Sequence, residues 1–277
     1  MSIVNERIPY GNEIGDRLWM WGHHCDSFAA LLHKTTEGYN LPYDKRIDMA
    51  DACKSMGIPG CFVVRWLNLP TKGNLPSYMA QFEQTKRVGF SITDSAVETF
   101  DEKVEIGLDL ADNMPNLTRF VMDDYWSGVA RQDNDKLLKV RDQLHKRGMK
   151  LCVVLYSDAN DIKPEYKETL DICDEVTFWF WHGKNVAGIE ERVAVLRALI
   201  GDTKPILLGQ YMYDFGGKKQ MPGELMEVQL EQTSRLLASK AISGVIFHCT
   251  PLVDLDYDAV KVSRQWIREN AAKPWGK

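Results

Sequence analysis

Short apolar runs rich in β-branched and aromatic residues alternate along this chain with longer stretches whose apolar positions recur at helical spacing. Eight runs have the length and residue types of strands: RLWMWGHH, GCFVVRW, RVGFSIT, TRFVMDD, KLCVVLYS, EVTFWFW, PILLGQYMY and SGVIFHC. Between them KRIDMADACKSMG, DEKVEIGLDLADNM, NDKLLKVRDQLHKRG, IEERVAVLRALIG and GELMEVQLEQTSRLLASKA predict helices, and YDAVKVSRQWIREN predicts the last. In NDKLLKVRDQLHKRG, Leu137, Leu138, Val140, Arg141 and Leu144 place an apolar stripe at helical spacing, and Gly148 ends the helix because it accepts a positive φ. Strands separated by helices lie parallel, with right-handed crossovers. Eight such units in 277 residues predict one α/β domain, a (β/α)8 TIM barrel over residues 1–277.

An open doubly wound sheet is the alternative. It favours a glycine-rich phosphate loop after its first strand, and LWMWGHHCDSF holds a single glycine. No Walker-type loop is present either, so no nucleotide cofactor is expected. The loops after the first two strands, HKTTEGYNLPYDK and LNLPTKGNLPSY, have the Pro, Gly and Asn content of rim loops.

The reactive face of such a barrel lies at the C-terminal strand ends. Read in order, those ends carry Trp21, His23 and His24; Arg65 and Trp66; Ser91, Thr93 and Asp94; then Asp123, Asp124, Tyr125 and Trp126. Tyr156 and Asp158 follow, then Trp179, Trp181 and His182, then Gln210, Tyr211, Tyr213 and Asp214, and finally His248. The opposite ends begin with ordinary residues such as Lys150, Asp174 and Lys204. The asymmetry predicts an aromatic-walled pocket with convergent polar groups, which suits a sugar: a pyranose has an apolar C–H face for stacking and hydroxyls that need partners. Against this stands the frequency of aromatics in all strands; Trp19, Phe178 and Phe180 can face the helices, and Trp179 and Trp181 share one face while His182 takes the other.

The stretch NLTRFVMDDYW starts as a buried strand and ends in two adjacent acids. Burying an unpaired charge costs several kcal/mol, so the run either leaves for solvent or delivers charge to a site. The next helix starts near Asp133 to Asp135, too far along for Asp123 and Asp124 to cap it. Glycosidic hydrolysis uses two carboxyl groups, one protonated and one ionised, and a neighbouring like charge raises one pKa. Asp124, nearest the strand tip, is the expected general acid, with Asp123 orienting substrate or tuning that proton. Asp158, Asp214, Asp94 and Glu98 are the candidates for a second carboxylate.

A strand ending in VMDDYW over an aromatic-rich rim resembles a glycoside hydrolase barrel, and YMYDFGG is similar to the Met-x-Tyr-Asp-x-x-Gly pattern of family 18 chitinase-like barrels. The resemblance implies that Tyr213 and Asp214 contact a sugar or its reacting centre. The chain departs from that family in two places. No spaced aspartates ending in glutamate occur at Asp123-Asp124-Tyr125-Trp126, and the tyrosine motif falls on the seventh strand, where the family has it on the sixth.

Three other chemistries compete. His23, His24, Asp123, His182 and His248 could converge on zinc or manganese, but His23 and His24 are adjacent and point to opposite faces, and H-E-x-x-H is absent, so no metal is expected. A sugar-acid lyase or isomerase would hold its carboxylate on Arg65. A noncatalytic carbohydrate-binding barrel would keep the aromatic walls alone.

Charge and composition narrow the partners. A net charge of −5, with no Lys/Arg block, argues against nucleic acid and anionic membranes, leaving an oligosaccharide or glycoside as the expected partner. No apolar run reaches the roughly 20 residues of a membrane span. MSIVNERIPYGNEIGDR lacks a signal-peptide pattern, so a cytoplasmic location is expected, or export with the leader removed. The six cysteines are scattered without a C-x-x-C pair and read as reduced thiols.

Overall fold

Eight parallel strands close into a ring: β1 (Leu18–His23), β2 (Gly60–Val64), β3 (Arg87–Ser91), β4 (Leu117–Met122), β5 (Lys150–Tyr156), β6 (Glu175–Trp179), β7 (Ile206–Tyr211) and β8 (Gly244–His248). Each pairs with the next, and β8 closes on β1 with Trp21 opposite His248. The computed structural model describes residues 5–27, 39, 41, 46–94, 97–127, 130–157 and 162–276. A helix follows every strand: α1 (Met49–Met56), α2 (Leu75–Met79), α3 (Phe100–Asn113), α4 (Asn134–His145), α5 (Lys167–Ile172), α6 (Ile189–Ile200), α7 (Gly223–Ala238) and α8 (Asp258–Asn270). This is the (β/α)8 barrel that the alternation of apolar runs implies. No described helix is long and apolar enough to cross a membrane.

Local chemistry sets the helix ends. Thr99 and Glu102 form a capping box at the start of α3, each side chain satisfying a backbone N–H that the helix leaves open. Asp133 caps α4 by accepting from the Lys136 N–H at 2.7 Å. Gly148, three residues past α4, adopts a φ of 66°. A side chain there would meet the Asn5 carbonyl as well as the backbone strain.

Large rings fill the interior because glycines face them. A Cβ on Gly60 would strike Trp19, one on Gly89 would strike Phe62 and Arg119, and one on Gly209 would lie 2.0 Å from Trp179. Trp19 therefore packs inside the barrel, whereas Phe120 points outward onto Gly107 of α3. Below these rings the interior is charged. Arg119 on β4 pairs with Glu175 on β6 at 2.6 Å, and Lys150 on β5 reaches the same carboxylate at 2.8 Å. The Tyr10 hydroxyl accepts from Arg119 at 2.8 Å and from the Trp19 indole at 2.9 Å. Arg87 donates to the carbonyls of Ile8, Pro9 and Asp16, so the N-terminal segment seals this end. Burial alone would raise Glu175, but Arg119 and Lys150 outweigh it and hold its pKa at about 2.

The ends of β4 and β7 decide where four candidate residues sit. β4 ends at Met122, leaving Asp123 and Asp124 in the turn beyond it. β7 ends at Tyr211, and the chain then forms a small hairpin in which Tyr213–Asp214 pairs with Lys219–Gln220. Tyr213 and Asp214 thus belong to a rim hairpin rather than to the barrel wall.

Candidate active site

Alternation along β4 sends Arg119 and Val121 inward, and Asp123 continues that series at the barrel mouth. Asp124 would ordinarily face the other way. Its φ of 47° lies in the left-handed region, and the turn brings a second consecutive carboxylate to the same cavity. The Asp124 N–H donates to Asp123 Oδ1 at 3.0 Å, and Thr93 at the end of β3 donates to the Asp123 carbonyl at 2.6 Å. Asp123 feels the charge of Asp94 on the β3 side, while Tyr156 of β5 hydrogen-bonds the Asp124 carboxylate.

Burial, the Asp124 charge and the Asp94 charge together push Asp123 well above the usual carboxylate range. Burial also raises Asp124, the more exposed of the pair, and the hydrogen bond from Tyr156 opposes that rise. Asp94 is raised to about 6 by burial, against the pull of the Arg65 N–H and charge. Three interacting carboxyl groups therefore stand at one side of the mouth.

The cavity they edge has a volume of about 150 Å³, a size that holds one six-membered ring. Trp21, Trp66, Trp181 and Tyr211 form walls, with Tyr156 beside Asp124. Trp181 meets Tyr211 edge-on at 5.7 Å between centroids and Tyr156 at 6.2 Å. His23 and His248 line the wall contributed by β1 and β8, their rings 5.4 Å apart. Burial lowers His23 to about 3, and burial with the neighbouring His23 drives His248 well below the ordinary range, so both imidazoles are neutral. Among the described residues, no lysine or arginine lines the cavity. A larger hollow of about 690 Å³ lies outside the barrel between α2 and α3, edged by Leu75, Met79, Ile106 and Leu110. Its described lining gathers no comparable acid–aromatic set.

Nine of the residues expected at the site thus meet around one cavity: Trp21, His23, Trp66, Asp123, Asp124, Tyr156, Trp181, Tyr211 and His248. Others stand apart. Trp179 lies beneath, 5.1 Å from Trp21, with its indole N–H on the Thr177 hydroxyl at 2.9 Å. His24 rests on the Tyr78 ring at 5.1 Å. Arg65 faces away from the cavity: it donates to the Pro70 carbonyl at 2.9 Å and Asn68 at 2.7 Å, and pairs with Glu98 at 2.9 Å. Tyr125 donates to the Gln132 carbonyl at 2.9 Å, and Trp126 stacks on Tyr166 at 3.9 Å. Gln210 alternates with the inward Gly209 and Tyr211 and is buried on the helix side of β7. Tyr213 donates to the Tyr39 carbonyl. Asp214 braces the rim by accepting from the Gly183 N–H at 2.9 Å and the Gly217 N–H at 2.8 Å. Asp158 lies outside the described residues.

Two lining residues escape the strand-end reading, Tyr39 and Phe215, whose rings meet at 5.4 Å. Both come from loops, and the nearest sequence signal is that Phe215 follows the Tyr213-Asp214 motif directly. For metals, the His, Cys, Asp and Glu donor atoms that gather within 4.8 Å among the described residues are those of His24, Cys25 and Asp26. They lie off the cavity, and Asp26 already pairs with Arg46.

No protein-family model matches the chain, and no curated protein matches it. Solved structures share its fold. A candidate α-L-fucosidase from Bacteroides thetaiotaomicron superposes with a TM-score of 0.55 at 8% identity, covering 96% of this chain and 98% of the other. A type I 3-dehydroquinate dehydratase from Clostridium difficile gives 0.53 at 10% identity, covering 95% and 94%. A tryptophan synthase α-subunit variant from Pyrococcus furiosus gives 0.52 at 10% identity, covering 94% and 98%. Identities this low establish the barrel alone, and the three named activities differ.

Proposed function

We propose that the protein is a glycoside hydrolase in which Asp123 and Asp124 perform the acid–base work. One observation carries the reading: two consecutive carboxyl groups, one of them strongly inclined to keep its proton, edge a ring-sized cavity walled by indoles and phenols. The roles reverse those that proximity to the strand tip suggests. Asp123, deeper and closer to other negative charge, is the acid; Asp124, hydrogen-bonded by Tyr156, is the carboxylate.

Asp123 gives its proton to the glycosidic oxygen as the bond to the anomeric carbon breaks and its electron pair passes to that oxygen. Asp124 opposes the positive charge that develops on the ring, as electrostatic stabilisation of an oxocarbenium-like state requires. A water molecule then adds to the anomeric carbon, and the ionised Asp123 takes its proton, restoring the enzyme. Trp21, Trp66 and Trp181 supply faces for the C–H side of the sugar.

A lyase or isomerase acting on a sugar acid fits less well. Its substrate carboxylate needs a cation, and Arg65 is engaged with Glu98 outside the cavity. Turnover of a panel of aryl glycosides tests the proposal, with wild type, Asp123→Asn and Asp124→Asn compared. Each substitution is expected to lower kcat by about 10² to 10⁴ fold, the range for a general acid or base. Full activity in either folded variant removes that residue from its role, and a folded wild-type protein that cleaves no glycoside ends the proposal.

A further inference from the structure

The turn after β1 gathers a set of donor atoms outside the cavity. In HHCD, His23 lines the cavity, and the next three residues, His24, Cys25 and Asp26, bring a ring nitrogen, a sulfur and a carboxylate oxygen within 4.8 Å of one another. On an extended strand, consecutive side chains point to opposite faces. β1 ends at His23, and the turn beyond it, in which the Ser27 N–H donates to the His24 carbonyl at 2.9 Å, brings the three groups to one side. The Asp26 N–H donates to His24 Nδ1 at 3.1 Å, which keeps that nitrogen unprotonated, and Asp26 Oδ2 lies 4.0 Å from it. Burial lowers the His24 pKa, so its imidazole is neutral near pH 7, as a metal ligand must be. Of the six cysteines, Cys25 alone is not buried. A fourth donor comes from the start of α1. Asp48 caps that helix with its backbone only, its side chain makes no capping hydrogen bond, and its charge acts on both His24 and Cys25.

We propose that His24, Cys25, Asp26 and Asp48 form a binding site for a borderline divalent cation, zinc above all, beside the barrel mouth. A tetrahedral ion with bonds of about 2.0–2.3 Å spaces its ligand atoms about 3.3–3.8 Å apart, a contraction that side-chain rotation supplies here. Imidazole and thiolate together select such an ion over magnesium or calcium, which prefer oxygen ligands. Burial and then the Asp26 charge push the Cys25 thiol up, Asp48 adds to this and Arg46 opposes it; a bound cation favours the thiolate outright. Arg46, which pairs with Asp26 Oδ1, competes with the ion for that carboxylate. Asp26 and Asp48 bracket the stretch of chain that carries Tyr39, a lining residue of the cavity, so the ion clips the two ends of that stretch together. The proposal is independent of the reaction assigned to Asp123 and Asp124.

Cobalt(II) tests the site on protein stripped with a chelator and then dialysed, because a cobalt–thiolate bond gives a near-ultraviolet charge-transfer band and a four-coordinate ion gives intense visible bands. About one Co²⁺ per chain should bind with both signals, and Zn²⁺ should displace it. Cys25→Ser should abolish the charge-transfer band, since the other five cysteines are buried and cannot take its place. Asp48→Asn should weaken Zn²⁺ binding by at least about tenfold, and Arg46→Gln, which removes the competing guanidinium, should tighten it by a similar factor. Near-ultraviolet circular dichroism checks that each variant is folded. Cobalt bound without the charge-transfer band, a band that survives in folded Cys25→Ser, or a folded wild-type protein that takes up neither ion would overturn the proposal.

Discussion

Asp123 and Asp124 show how position on a strand becomes chemistry. The sequence exposes the pair, because two acids after TRFVM have no structural reason to end a buried run. It does not reveal which one keeps the proton, since that depends on Asp94 arriving from β3 and Tyr156 from β5. A pH profile can test this assignment. Activity should fall on the alkaline side as Asp123 loses its proton, and Asp94, ionised above about 6, delays that loss by its negative charge. Replacing Asp94 by Asn removes the charge but keeps an acceptor for the Arg65 N–H. The alkaline limb of kcat/KM should then move to lower pH; an unmoved limb means that Asp94 does not act on the catalytic acid. Arg65 and Asp214 show the opposite lesson. Both read as site residues from their place at strand ends, yet one holds an internal ion pair and the other braces two backbone amides, and neither arrangement leaves a trace in local sequence.

At the level of elements, the strands were the most legible feature, because a buried parallel strand needs a continuous apolar run. α2 and α5 left no usable periodicity: they span five and six residues, too few turns to display an apolar stripe. The break after β7 was hidden by the aromatic continuity of QYMYDF, so a rim hairpin passed for an extension of the strand. Glycine in a strand carried information that the apolar pattern did not. Gly209 lets the Trp179 ring lie across β7 beneath the cavity. Gly209→Ala should destabilise the fold by about 1–3 kcal/mol through overpacking, seen as a lower denaturation midpoint. It should also weaken substrate binding, because Trp179 supports Trp21 from below. Wild-type stability and affinity in this variant would show that the floor can repack freely.

Across the whole molecule the two ends of the barrel divide the work. The lower end is a closed charge cluster in which Glu175 balances Arg119 and Lys150, and the upper end gathers acids and aromatic rings around a cavity. Glu175→Gln leaves the buried Arg119 without its ion-pair partner, while Lys150 keeps Glu6 at 2.7 Å, and should cost about 3–5 kcal/mol, measured by chemical denaturation near neutral pH. The pH dependence has a definite sign. Glu175 has a folded pKa of about 2 against an ordinary value of 4.5, so its stabilising contribution is full above the latter and lost as pH falls through the former. The glutamine variant should lack that acid-sensitive part; an unchanged acid profile would mean the cluster does not stabilise the fold. This polarity between ends was visible in sequence only on the upper side, where aromatics and acids are unusual, because Arg, Lys and Glu at strand starts look like ordinary surface residues until the barrel closes around them.

The assignment of Asp123 as proton donor is tested most directly by a crystal structure of Asp123→Asn soaked with a glycoside that the wild-type protein cleaves. The glycosidic oxygen should lie about 3 Å from the residue 123 side chain, with the sugar ring against Trp21, Trp66 or Trp181 and its anomeric carbon facing Asp124. A glycoside bound elsewhere on the barrel, or seated in the cavity with that oxygen turned away from residue 123, would contradict the account.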